Sequence, residues 1–85
     1  MRVEDEIAER LRTAFDPVEL TVVDESDLHI GHAGYREGGQ SHFRVRIRAA
    51  AFAPMSRIAR HRAVHDALGQ EVVGRIPALA LQIEG

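Results

Sequence analysis

The feature that most constrains the fold of this 85-residue chain is the segment Ser41–Ala50, in which apolar and polar residues alternate. The apolar residues are Phe43, Val45, Ile47 and Ala49, and the polar residues are His42, Arg44, Arg46 and Arg48. Because successive side chains of a β-strand point to opposite faces, this pattern predicts a strand with one face in a core and the other toward water or a partner. The rest of the chain must therefore supply neighbouring strands and a layer that covers the apolar face.

Residues 18–23 and 79–83 also alternate between apolar and other residues, which predicts two further half-buried strands. The inward-facing sets are Val18, Leu20 and Val22 in the first strand, and Leu79, Leu81 and Ile83 in the second. Pro77 is placed at the first residue of the final strand, where proline is tolerated because no ladder donor is needed there. Three strands are enough for a small sheet.

Residues 3–14 and 56–73 carry apolar residues at helical spacing, which predicts two amphipathic helices. The inward stripes are Val3, Ile7, Leu11 and Ala14 in the first, and Ile58, His61, Val64, Leu68 and Val72 in the second. The first helix is expected to stop by residue 16, because Pro17 disfavours helix in the residue before it. Ser56 is the expected N-cap of the second helix, which Gly69 or Gly74 is expected to break or cap, so that two shorter helices are also consistent with the sequence.

These elements predict an α+β fold of one domain over residues 1–85, in the order α-β-β-α(α)-β. The helices are expected to cover one face of a small three-stranded sheet. A chain of this length has room for a single core. Residues 25–40, between the first two strands, contain four glycines and two histidines without periodicity, which is typical of a functional or a mobile loop.

Composition excludes several classes of protein. The chain has no cysteine, so it has no disulfide framework, thiolate nucleophile or cysteine-based metal site. No apolar run approaches the ~20 residues that span a bilayer, and the N-terminus lacks a basic-then-apolar leader, so we expect a cytoplasmic protein with no membrane contact. We also expect no enzymatic activity: Ser41 and His42 are adjacent on a strand, which directs their side chains to opposite faces, and no phosphate loop or dinucleotide motif occurs.

The chain resembles the BolA family in an ordered set of short segments. They are Asp24-Glu25-Ser26, Gly31-His32-Ala33-Gly34, Ser41-His42-Phe43-Arg44-Val45, Phe52 with Ser56-Arg57, Arg60-His61-Arg62-Ala63-Val64 and Ala78-Leu79-Ala80-Leu81. The resemblance implies a fold like a class II KH domain. It also implies a partner, a monothiol glutaredoxin with a Cys-Gly-Phe-Ser active site, which family members bind either without metal or around a bridging [2Fe-2S] cluster. Some bacterial members of the family are linked to transcription control, morphology and stress response.

The resemblance also implies where cluster ligands belong. The ligand in the loop between the first two strands falls on His29, and His32, three residues later, is a secondary candidate. The second family ligand, a histidine just before the last strand, falls on Pro77, which has no imidazole. This departure leaves weak cluster binding, another histidine, or a metal-free complex as alternatives. In each case no cluster is held by this chain alone, because the thiolates would come from the partner and glutathione. Spacing alone favours exposed loop histidines without a ligand role, and it is the resemblance that raises His29 to a ligand candidate.

Two surfaces are candidates for binding a macromolecule. The resemblance points to Arg57, Arg60, His61 and Arg62 as the surface for a protein partner, although the helical spacing of His61 also fits a half-buried side chain hydrogen-bonded to backbone or to an acid. A DNA-binding regulator is the alternative, with Arg44, Arg46, Arg57 and Arg60 as phosphate contacts.

Three observations place DNA binding second: a net charge of −2, only four aromatic residues, two of which face the core by pattern, and the absence between helices of a Gly-x-x-Gly loop of the kind that clamps nucleic acid in KH domains. Alternating strand arginines are also more often a solvated face or paired with neighbouring acids. By itself the chain is expected to be a monomer or a weak homodimer.

Overall fold

The computed structural model describes residues 1–26 and 41–85. Along the chain lie α1 (Val3–Phe15), β1 (Glu19–Asp24), β2 (His42–Arg48), a 3-10 turn (Ala50–Phe52), α2 (Arg57–Gly74) and β3 (Ala78–Glu84). This is the predicted order of elements and the predicted α+β class. Among the described residues, neither helix is long and apolar enough to cross a membrane.

The sheet has the strand order β1-β2-β3, so the alternating strand is its centre. β1 runs antiparallel to β2, whereas β3 runs parallel to it. Parallel neighbours need a crossover connection, and α2 provides it. α1 contacts both α2 and β1, so the two helices form one layer over the sheet.

The core lies between the helices and the inner face of β2. Its buried residues are Ile7, Leu11, Phe43, Val45, Ile47, Ala49, Phe52, Val64, Leu68, Val72 and Ile76. The whole inward set of the central strand is therefore confirmed. Each buried large apolar side chain stabilises the fold by roughly 1.5–3 kcal/mol relative to exposure. Phe15 from α1 packs on Phe52 with ring centroids 4.6 Å apart, which ties the helix end to the turn after β2.

The helix ends form where local chemistry predicts. α1 stops at Phe15 because Asp16 adopts the left-handed conformation with φ 46°, and its N–H donates to the carbonyl of Arg12. Pro17 follows and prevents continuation of the helix. α2 begins at Arg57 because the Ser56 hydroxyl accepts the N–H of Ala59 at 3.1 Å, as expected of an N-cap.

Three expected core positions are wrong. Val18 is 75% exposed because β1 begins one residue later, at Glu19. Ile58 is 65% exposed. Two steps of three residues, through His61, separate it from Val64, and each step falls about 60° short of a full helical turn, so Ile58 lies about 120° around the helix from Val64. Ala14 is also exposed, beside a groove that Ala67 lines too.

The predicted break in the second helix occurs at Gly69, which has φ 81° and ψ 157°. These dihedrals belong to a region that only glycine adopts readily, and a substituted residue there costs about 1–3 kcal/mol. We expect Gly69→Ala to lower the unfolding free energy by about that amount in urea denaturation. The control is Gly74→Ala, because a Cβ there meets no atom within 4 Å and the position has no positive φ. Equal effects of the two changes would contradict a special role for the Gly69 backbone.

Candidate partner-binding site

A surface groove of about 470 Å³ lies between the start of α2 and the end of β3. It is also bordered by the chain that connects the 3-10 turn to α2. It is lined by Met55, Arg57, Arg60, His61, Gln82 and Ile83, and we call it the basic groove. Three of the four residues predicted to bind a partner lie in it, and the fourth, Arg62, does not line it. The groove exists because the parallel crossover returns β3 beside the first turn of the helix that follows β2.

Arg60 is fixed in place by backbone carbonyls. Its Nε donates to the carbonyl of Phe52 at 2.9 Å, and one terminal nitrogen donates to the carbonyl of Ile83 at 3.2 Å. A guanidinium has five N–H donors, so these two bonds leave three for other acceptors. Arg60 therefore joins the 3-10 turn to the end of β3 and also presents a preoriented cation to the groove.

His61 is half-buried and lies 3.0 Å from the carbonyl of Arg57, through its Nδ1. Because a carbonyl can only accept, Nδ1 carries the proton and Nε2 is the acceptor in the neutral ring. The backbone-bonded state expected for His61 is confirmed. Arg57 and Arg62 are exposed, and neither forms an ion pair with any residue in 1–26 or 41–85. Their charges remain available to a partner.

The strand arginines are in a different environment, since each faces a carboxylate. The pairs are Arg44 with Glu25 at 3.1 Å, Arg46 with Glu19 and with Glu84 at 3.7 Å each, and Arg48 with Glu19 at 3.4 Å and with Glu84 at 3.2 Å. The strand register causes this, because Glu19 and Glu84 flank Arg48 directly on the two neighbouring strands. Hydrogen bonds from Gln82 and Arg48 lower the pKa of the Glu84 carboxyl. On the outer face of the sheet, the positive charges of these arginines are therefore nearly balanced by the negative charges of the paired carboxylates.

A buried polar network, which the sequence interpretation did not anticipate, joins the end of β1 to the start of β2. We call it the signature cluster, because its residues Asp24, Ser26, Ser41 and His42 belong to the segments that carry the family resemblance. The Ser26 hydroxyl donates to Asp24 and accepts the N–H groups of Ser41 at 3.0 Å and of His42 at 3.2 Å. The Ser41 hydroxyl lies 3.1 Å from that of Ser26 and 2.8 Å from His42 Nδ1.

This network corrects two expectations about the start of β2. His42 was placed on the outer face with the arginines, but it is only 6% exposed. Ser41 and His42 were expected to point apart, yet their side chains are hydrogen-bonded, because Ser41 precedes the strand and does not follow its alternation. Ser26 and Ser41 are almost completely buried, so the serine–histidine pair is closed to a substrate and links two chain segments.

The predicted metal ligands His29 and His32 lie outside the described residues. Pro77, at the position of the second family ligand, is exposed just before β3 and has no ligating side-chain atom. In the described part of the chain, no group of three or more His, Cys, Asp or Glu side chains is placed to hold a metal. Pro77 therefore does not fit the second ligand position of the family's two-ligand cluster site.

The comparisons with known proteins agree on a single protein family. The sequence profile of the BolA-like proteins matches residues 11–84. A Sinorhizobium protein described as an uncharacterized protein in the cobS 5′ region is 46% identical over 83 residues, which cover 96% of this chain and 89% of that protein. The DNA-binding transcriptional regulator BolA of Vibrio cholerae is 37% identical over 79 residues, 93% of this chain and 71% of the regulator. The solved BolA domain of SufE1 from Arabidopsis thaliana superposes with a TM-score of 0.79 at 37% identity, covering 95% of this chain and 88% of that domain.

Proposed function

Since the chain belongs to the BolA-like protein family, we propose that it is an adaptor that docks on a monothiol glutaredoxin. Through that complex it modulates the trafficking or sensing of [2Fe-2S] clusters, and it catalyses no reaction itself. The observation that carries the proposal is the basic groove, where Arg57 and Arg60, neither of them ion-paired with a residue in 1–26 or 41–85, lie beside the apolar side chains of Met55 and Ile83. A concave surface that combines apolar contact with a few fixed charges suits a protein segment.

The charge distribution supports a protein partner over an extended polyanion. Nucleic-acid binding draws its affinity from several arginines or lysines that neutralise successive phosphates. The row of arginines on β2 is already paired with Glu19, Glu25 and Glu84. Among residues 1–26 and 41–85, the arginines without an ion pair include Arg57, Arg60 and Arg62 near the start of α2, not the row on β2.

The first experiment is metal-free mixing with a monothiol glutaredoxin that has a Cys-Gly-Phe-Ser active site, followed by size exclusion with light scattering. We expect a one-to-one complex, because docking through the basic groove needs no metal ligand from this chain. The absence of a complex at protein concentrations of about 100 μM would exclude any useful affinity and would overturn the proposed partner.

The same mixture with iron, sulfide and glutathione under anaerobic conditions tests the cluster. A visible circular dichroism spectrum distinct from that of the glutaredoxin homodimer would support cluster sharing despite Pro77. We propose His29 as the ligand from this chain, so His29→Ala should weaken that signal more than His65→Ala, a change on the exposed side of α2. Equal losses in the two variants would contradict the assignment of His29.

A DNA-binding regulator of stress response and morphology is the second candidate. The observation that favours it is the 37% identity to a relative that is named a DNA-binding transcriptional regulator. A protein that contacts phosphates loses affinity steeply with salt, at nearly one power of the salt concentration for each phosphate neutralised. Retardation of promoter DNA that disappears between about 50 and 200 mM salt would favour this function, and no retardation at the lowest salt would remove it.

A further inference from the structure

β3 is an edge strand whose free side can be identified from its bonds to β2. The N–H of Ala78 donates to the carbonyl of Ser41, and the carbonyl of Glu84 accepts the N–H of Ala49. In a parallel pair only alternate residues bond to the neighbouring strand. Residues 78, 80, 82 and 84 therefore face β2, whereas the backbone groups of Leu79, Leu81 and Ile83 point away from the sheet.

Within the part of the chain that the structure describes, this edge is closed at its ends and open in the middle. Pro77 precedes the strand, and Arg60 occupies the carbonyl of Ile83. No residue in 1–26 or 41–85 hydrogen-bonds to the N–H groups of Leu79, Leu81 and Ile83 or to the first two carbonyls. An edge with unpaired backbone groups is a template for one more strand. The open stretch spans about 13 Å, enough for a segment of roughly five residues.

The basic groove begins where the open edge ends. Ile83 and Gln82 belong to both, and Arg57 and Arg60 lie across from them. A strand added along the edge would place its side chains near Ile83 within reach of these two arginines. Arg60 is already oriented by two carbonyls, so the three N–H donors that remain are available to a carboxylate without loss of side-chain freedom.

We propose that an extended, acidic segment of a protein partner adds to β3 as a fourth strand and places a carboxylate on Arg57 and Arg60. The inference rests on the proposed function in one respect, that the basic groove receives a protein. A second copy of this chain fits less well. Paired antiparallel along the same edge and centred on Leu81, it would bring its uncharged residues 76–79 to the arginines and supply no carboxylate.

Amide hydrogen exchange tests directly whether a partner strand protects the alternate β3 amides that point away from the sheet. The whole chain, labelled with 15N, is mixed with a synthetic six-residue peptide that alternates glutamate and valine, at up to about 1 mM peptide because short edge contacts bind weakly. We expect protection of the amides of Leu79, Leu81 and Ile83 to rise about tenfold, while residues 78, 80, 82 and 84, already bonded to β2, change little. The matched control peptide is N-methylated at the amides that would bond to β3, which removes the ladder and keeps the charge.

The outcomes separate the alternatives. Alternating protection that the N-methylated peptide does not produce supports strand addition. No binding, or binding that is insensitive to N-methylation, overturns it, and so does concentration-dependent protection with dimer formation in the absence of peptide. Repeating the measurement with a monothiol glutaredoxin distinguishes this inference from the proposed function. A complex without edge protection removes strand addition and leaves the adaptor role, whereas peptide protection without a glutaredoxin complex removes that partner and leaves strand addition.

Discussion

Ser26→Ala is expected to lower the free energy of unfolding by about 2–4 kcal/mol, a large fraction of the stability of a chain this small. The hydroxyl of Ser26 accepts the backbone N–H groups of both Ser41 and His42, and all three residues are buried. Alanine leaves these two buried donors without that acceptor. A buried polar group that loses its partner costs about 1–3 kcal/mol, whereas a serine hydroxyl on the surface contributes far less.

Urea denaturation at neutral pH measures the loss of unfolding free energy. Thermal denaturation should show a fall in Tm on the order of 10 °C or more. Ser56→Ala is the matched control, because Ser56 is exposed and its hydroxyl accepts one N–H, that of Ala59. Loss of this N-cap should cost about 1 kcal/mol. If the two alanine variants lose the same stability, the signature cluster does not hold the ends of β1 and β2 together as described.

The signature cluster also shows where prediction from the sequence stops. Alternation along β2 identified its buried side without error, because the orientation of successive side chains is a local property of a strand. The burial of His42 was missed, since it depends on Ser26, sixteen residues away. No periodicity within one element reports a hydrogen bond between residues so far apart. The available signal was polar residues near the two strand ends that meet, Ser26 after β1 and Ser41-His42 at the start of β2.

The same limit applies to the candidate site. The sequence correctly placed Arg57, Arg60 and His61 on one helix, because helical spacing and the Ser56 cap are local. It did not show that Arg60 bonds to Ile83, since that contact depends on the parallel crossover that brings β3 back beside the start of α2. The ion pairs of the β2 arginines were anticipated only as a general alternative. Their partners Glu19 and Glu84 became known from the strand register.

These findings assign different roles to arginines that look alike in the sequence. Arg46 and Arg48 share carboxylates on the outer face of the sheet, where the charges largely cancel. Arg60 joins two backbone segments and still has donors to offer, and Arg57 is exposed beside it in the same groove. A functional test therefore needs a substitution that changes the charge of the groove without disturbing its structure. Arg57 satisfies this condition, whereas replacement of Arg60 would also free two carbonyls.

Arg57→Glu is expected to weaken the complex with a monothiol glutaredoxin by about tenfold or more, because the change places a like charge against an acidic partner segment. The fold should tolerate it, since Arg57 is exposed in the first turn of α2, where the helix dipole favours a carboxylate. Isothermal titration at constant salt measures the affinity.

The control is Arg46→Gln, which removes an equivalent strand charge while Arg48 still pairs with Glu19 and Glu84, and it should change the Kd less than about twofold. If Arg46→Gln weakens binding as much as Arg57→Glu, the interface extends over the sheet face and the basic groove is not its centre. If instead both substitutions reduce retention on promoter DNA while glutaredoxin affinity is unchanged, the arginines serve the regulator function.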